Sequence, residues 1–99
     1  MEFFKSNNGT EASVILDKKL SAVTADTLEQ ELKRFLVGVK KFTVDMSKLE
    51  YISSAGLRVL LKAQKLMNTQ GKMTVKNAVP EVRKIFETTG FDEILELDV

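Results

Sequence analysis

The sequence predicts an α/β fold, a small mixed sheet of about four to five strands that begins with an N-terminal hairpin and has helices packed against it. Three observations carry this. Segments of strand period and helix period alternate along most of the chain, and alternation of that kind implies parallel strands joined by helical crossovers. The connections are short throughout, and Asn7-Asn8-Gly9 near the start separates two apolar segments in the manner of a hairpin turn.

Phe3 and Phe4 lie before that turn and the apolar run Ala12 to Leu16 lies after it, so two antiparallel strands are expected first. From Thr24 onward, Leu28, Leu32, Phe35 and Leu36 recur at helical spacing with Glu29, Glu31, Lys33 and Arg34 between them. Ser21 or Thr24 is the expected cap of this first helix. Phe42, Val44 and Met46 alternate with polar neighbours as a strand does. A short turn should follow, then a second helix on Leu57, Leu60, Leu61, Gln64 and Met67, closing near Gly71. Lys72 to Lys76 is a further strand. Pro80 suits the first position of a third helix, where its missing N–H costs nothing, and Gly90 closes that helix with Phe91 set to cover the last turn. Ile94 to Leu97 reads equally as a last strand or part of a short helix. With no repeat, low-complexity tract or linker, residues 1–99 are expected to form one domain and one core, and the phenylalanines are expected to belong to it.

Composition removes several function classes. Fifteen Lys and Arg against fourteen Asp and Glu give a formal charge of +1, which points to neither nucleic acid nor an anionic membrane. The chain has no cysteine and no histidine, which excludes thiol chemistry, the usual zinc sites and any histidine-dependent triad. The N-terminus has no export signal and no apolar run reaches membrane-spanning length, so a soluble, cytoplasmic protein, a monomer, is expected. The acidic C-terminal residues Asp92, Glu93, Glu96 and Asp98 read as solvation, and no metal or cofactor is implied.

The informative stretch is residues 45 to 57, Asp-Met-Ser-Lys-Leu-Glu-Tyr-Ile-Ser-Ser-Ala-Gly-Leu. It runs from a strand into a helix that opens on Ser53 and Ser54, where unpaired N–H groups and the helix dipole favour an anion. The bland reading of the pair is helix capping. A catalytic reading of Ser54 lacks an activating base and the Gly-x-Ser-x-Gly pattern. A nucleotide- or anion-sensing reading lacks a glycine-rich loop, because Gly71-Lys72 has no companion glycine at the required distance. Arg58, one turn after Ser54, is placed to reach a phosphate there, with Lys62 a turn later on a similar face. Asp45 and Ser47 are read at a strand end, bonding the next turn or orienting the Ser54 segment.

The segments Val44-Asp45-Met46-Ser47 and Tyr51-Ile52-Ser53-Ser54-Ala55-Gly56-Leu57, with Val79-Pro80-Glu81-Val82-Arg83 and Thr89-Gly90-Phe91-Asp92, resemble the STAS domain in its stand-alone form as a bacterial anti-sigma factor antagonist. The resemblance implies that the unmodified protein binds an anti-sigma factor that is itself a GHKL-type serine kinase, and so frees a sigma factor. It implies phosphorylation of Ser54, which ends the binding, and a PPM-type serine phosphatase that restores it. The implied contact surface is Ser53, Ser54, Gly56, Leu57 and Arg58, with Asp45 and Ser47 in support and no catalytic residue. Where many members of that family carry an acidic residue before the acceptor, this chain has Ser53, which leaves Ser53 as cap and fallback acceptor. The alternative is a STAS scaffold that is not phosphorylated, or an anion- or nucleotide-sensing module.

Overall fold

The computed structural model describes residues 1–98. Its elements in chain order are β1 (Glu2–Lys5), β2 (Glu11–Leu20), α1 (Ala22–Phe35), β3 (Lys41–Ile52), α2 (Ser54–Gln70), β4 (Lys72–Lys76), α3 (Pro80–Thr89), a short 3₁₀ turn (Phe91–Glu93) and β5 (Leu97–Asp98). The sheet has five strands in the order β1-β2-β3-β4-β5; β1 and β2 are antiparallel and every later pair is parallel. The predicted hairpin, three helices and parallel strands are all present.

Local chemistry explains the punctuation. In the hairpin turn the Asn8 carboxamide oxygen accepts from the Thr10 N–H, the Thr10 hydroxyl and the Ser6 hydroxyl, and Gly9 takes the positive φ of 74° that the turn needs. Ser21 caps α1. Gly90 ends α3 in the left-handed conformation at φ 79°. The undecided run Ile94 to Leu97 is mostly irregular: the short helical turn ends before it, and only Leu97 lies in a strand. The 3₁₀ turn begins on Phe91, and the two-residue strand begins at Leu97.

Register places the core. Ala12 and Val14 of β2 lie beside Phe42 and Val44 of β3, which lie beside Met73 and Val75 of β4. All six are buried. The buried residues of α1 and α2 (Leu28, Leu32, Leu57, Leu60, Met67) join the same cluster, as do Val82 and Phe86 of α3. The opposite residues of these strands, among them Glu11, Ser13, Lys41, Thr43, Lys72 and Thr74, form an open polar face. Phe4 is on that face, 49% exposed, the one phenylalanine outside the core and its margin. Phe3 packs edge-on to Phe35 at 5.1 Å between ring centres.

Two strands run further than their patterns suggest. β2 reaches Leu20 and β3 reaches Ile52, paired through Asp17–Lys48, Lys18–Leu49, Lys19–Tyr51 and Leu20–Ile52 with two shifts of register. The expected short turn before α2 is therefore absent: only Ser53 separates β3 from α2. Asp45 and Ser47 lie inside β3, at the place where its pairing with β4 ends, and not at the end of the strand.

Candidate functional site

The parallel strands β2 and β3 end together, so α1 and α2 begin side by side. The link is specific. The Leu20 carbonyl accepts from the Ser53 N–H at 2.9 Å and from the Ser53 hydroxyl at 2.8 Å. Ser53 is the N-cap of α2, with extended backbone at φ −85°, ψ 170°, and its Oγ accepts from the Gly56 N–H at 3.1 Å. Its hydroxyl is thus used as donor and as acceptor, and half-buried. Ser54 is the first residue of α2 and exposed, and among the described residues its hydroxyl makes no hydrogen bond.

Gly56 and Leu57 do not lie on the surface. Leu57 is 7% exposed and belongs to the core. A Cβ at Gly56 would stand 2.8 Å from Ile52 Cγ1 and 2.8 Å from Leu20 Cδ2. The absent side chain lets the first turn of α2 press onto the strand ends, so the close approach that this glycine permits is internal. Both residues shape the site from beneath, which corrects their expected place on the contact surface. Arg58 is exposed and has no carboxylate within ion-pair distance among the described residues. Lys62 is not free to act with it, because its ammonium lies 3.3 Å from Glu29 of α1.

Two exposed apolar side chains flank this end and were not singled out by sequence. Tyr51, two residues before Ser53, is 49% exposed, and Val23, in the first turn of α1, is 77% exposed. Tyr51 stands within the motif, yet a single aromatic in a strand gives no sign of facing water. Val23 carries no periodic signal that separates it from the core positions of α1.

Asp45 serves a different place. Its Oδ1 accepts from the Ser47 N–H at 2.9 Å and from the Asn77 carboxamide at 3.5 Å. Partial burial pushes its carboxyl pKa up, but the Ser47 and Asn77 hydrogen bonds and the Lys48 charge outweigh that and hold it below its ordinary value. Asp45 and Ile52 pair with Ile15 and Leu20, so at about 3.3 Å per strand residue of β2, Asp45 lies roughly 20 Å from the start of α2. It ties β3 to the exit of β4, where Asn77 sits at φ 61°, and its hydrogen bonds go to Ser47 and Asn77, away from the Ser54 segment. The C-terminal acids behave as solvated pairs: Glu96 lies 3.2 Å from Lys72, and Asp98 lies 4.0 Å from Lys76. Among the described residues no acidic cluster could hold a metal ion, and no helix is long and apolar enough to cross a membrane.

The fold recurs in solved proteins. The anti-sigma factor antagonist SpoIIAA in its unphosphorylated form superposes with a TM-score of 0.82 at 16% identity, covering 99% of this chain and 89% of that one. The phosphorylated form of SpoIIAA, a Bacillus cell fate determinant, gives 0.73 at 16% identity over 99% and 92%. In sequence, the chain is 40% identical over 74 residues to BtrV of Bordetella bronchiseptica, a protein named as an anti-sigma factor antagonist; the match takes in 73% of this chain and 64% of the length of BtrV. The STAS domain pattern matches residues 6–98. With nearly every described element inside that match, this chain belongs to the STAS domain family.

Proposed function

We propose that this protein is an anti-sigma factor antagonist whose switch is the Ser54 hydroxyl. In this reading the unmodified form binds an anti-sigma factor with GHKL-type serine kinase activity and so frees a sigma factor. Phosphate on Ser54 ends the binding, and a PPM-type phosphatase restores it. The observation that carries the reading is the contrast within the serine pair: the Ser53 hydroxyl is committed on both sides to Leu20 and Gly56, whereas Ser54 is exposed with its hydroxyl unengaged.

The physical logic of the switch follows from position. A phosphoserine brings about −1.5 to −2 charge and three acceptor oxygens. At the first residue of a 17-residue helix an anion is favourable by about 0.3–1 kcal/mol, so the modified domain keeps its fold. SpoIIAA has the likeness to this chain in both its forms, which agrees with a switch that does not unfold its carrier. Against a partner, the same charge must lose water and meet groups not matched to it, a penalty that reaches several kcal/mol. Each 1.4 kcal/mol is about tenfold in affinity, so release is accounted for without a change of shape.

The test is incubation with the anti-sigma kinase of the same organism and ATP, followed by mass mapping of the modified residue. One phosphate on Ser54, absent from Ser54→Ala, is expected. Phosphate on Ser53, or incorporation that Ser54→Ala does not diminish, would overturn the assignment.

A further inference from the structure

The end of β2 is built in a way that the core does not require. A regular strand turns alternate residues to opposite faces, but Asp17, Lys18 and Lys19 are exposed in succession. The pairing with β3 slips between Ile15 and Asp17 and again between Lys18 and Lys19. Lys18 sits at φ 57°, a left-handed conformation that side chains other than Asn and Asp avoid. Bulges of this kind re-aim side chains. Here the result is two ammonium groups turned outward immediately before Leu20, whose carbonyl holds Ser53.

The surroundings place these cations near one end of the sheet. Lys19 is the register partner of the half-exposed Tyr51. Arg58 is exposed one turn beyond Ser54. Among the described residues Lys18, Lys19 and Arg58 have no carboxylate within 4.0 Å; Lys5, Lys40, Lys41, Lys48, Lys65, Arg83 and Lys84 are also outside the ion pairs, so it is the place of these three near the start of α2 that sets them apart. The carboxylates at this end are Glu50, exposed beside Tyr51, Asp26, exposed one turn into α1, and Asp17, held by the N-terminal ammonium at 3.4 Å. A duplex or an anionic membrane calls for a wider basic field than a chain of net charge +1 provides. Unpaired cations around exposed Tyr51 and Val23 are complementary to a protein surface with an acidic rim and an apolar centre.

We infer that the Lys18–Lys19 bulge is a docking element for an acidic patch on the protein that reads Ser54, and that it acts mainly by steering association. This rests on the reading of Ser54 as the switch. It also extends that reading: a phosphate of about −1.5 to −2 placed beside these cations cancels most of their attraction, so one modification adds an obstacle and removes the steering field together.

The experiment measures association and dissociation rates of the unmodified chain with the anti-sigma factor of the same organism at 50 and 500 mM NaCl. The variants are Lys18→Asn with Lys19→Gln, in which Asn tolerates the left-handed backbone, and Ser54→Glu alone. For the parent chain the association rate should fall about tenfold or more across that range. The double variant should associate about tenfold more slowly at low salt, lose most of the salt dependence and dissociate within about twofold of the parent. Unchanged association and salt dependence in the double variant would overturn the inference, as would binding of the parent chain to a DNA duplex or phosphatidylserine vesicles that the double variant loses, the sign of a general polyanion surface. Ser54→Glu reports separately. If it binds as the parent does, the switch reading fails whatever the lysines do, and if the parent binds no anti-sigma factor, both fail.

Discussion

The starts of α1 and α2 are one device built twice, and the difference between them lies in where each serine sends its proton. Each helix follows a parallel strand and is capped by a serine. At α1 the cap closes on itself: Ser21 Oγ accepts from the Thr24 N–H at 3.3 Å and Thr24 Oγ1 accepts from the Ser21 N–H at 2.7 Å. At α2 the residue equivalent to Thr24 is Gly56, which has no side chain to return the bond, because a Cβ there would strike Leu20 and Ile52. Ser53 therefore reaches outside its own helix to the Leu20 carbonyl. Close packing has exchanged a local cap for a tertiary one, and the next residue, Ala22 in α1, is Ser54 in α2. The fold makes no hydrogen bond with that hydroxyl, which is what the proposed switch requires.

The largest way to break this comparison is to fill the space under α2. Gly56→Val should lower stability by about 3 kcal/mol through overpacking against Leu20 and Ile52, read as a shift of the urea midpoint. A change below about 0.5 kcal/mol would mean that close approach is not what denies α2 a reciprocal cap. Next come the caps themselves. Ser53→Ala removes an acceptor for the Gly56 N–H and a donor to Leu20, and should cost about 2 kcal/mol; Ser21→Ala leaves Thr24 bonded to the Ser21 N–H and to the Lys19 carbonyl, and should cost about 1 kcal/mol. Equal losses would show that the tertiary bond adds nothing. Lys18→Gly, which relieves the positive φ just ahead of both helix starts, should raise stability by about 1 kcal/mol while slowing association with the partner.

These contrasts mark what sequence could and could not reveal. The hairpin, the three helices and the β-period of Phe42, Val44 and Met46 are local patterns, and they appear in the fold as expected. The long ends of β2 and β3 are not local. Lys18, Lys19 and Glu50 break the alternation by which a strand is recognised, and a bulge is what reconciles them with pairing. Asp45 spaced two residues from Ser47 reads as turn chemistry. Its second partner, Asn77, is 32 residues away in the chain, so its place on the β3–β4 boundary is a tertiary fact. Ser53 and Ser54 are alike to any propensity argument, and the bond that divides them spans 33 residues. The family resemblance implies Ser54 as the acceptor, and burial puts Gly56 and Leu57 beneath the surface of the site.

A smaller effect sharpens the comparison at the helix starts. Ser54→Ala should change stability by less than about 0.5 kcal/mol, as exposed positions without hydrogen bonds do, yet abolish phosphate incorporation. Ala22→Ser sets a hydroxyl at the matching position of α1. It should also leave stability within about 0.5 kcal/mol, and the kinase should leave it unmodified, because Tyr51 and Arg58 belong to the segment that carries Ser54, whereas the Lys18–Lys19 bulge precedes both helix starts. Phosphate on the introduced hydroxyl of that variant would show that any free hydroxyl at a helix start suffices, and the docking surface would lose its role in selecting the acceptor.

The smallest effect is expected far from both helix starts. Asp45 has a carboxyl pKa below its ordinary value in the folded chain. A group with a depressed folded pKa binds fewer protons than its unfolded counterpart, so its contribution to stability is complete above the unfolded value of about 3.9 and declines as pH falls through the folded value. Asp45→Asn should therefore narrow the gap to the parent protein as pH is lowered from about 7 toward about 3 in urea titrations, with the difference largest at neutral pH. The same variant should accept phosphate on Ser54 at the parent rate, since roughly 20 Å of strand separates the two residues. A slowed reaction at neutral pH, with stability intact, would instead show that the β3–β4 boundary reaches the start of α2. The two serine-capped helices would then be distinguished by the whole length of β3 and no longer by the two residues, Gly56 and Leu20, that their hydrogen bonds single out.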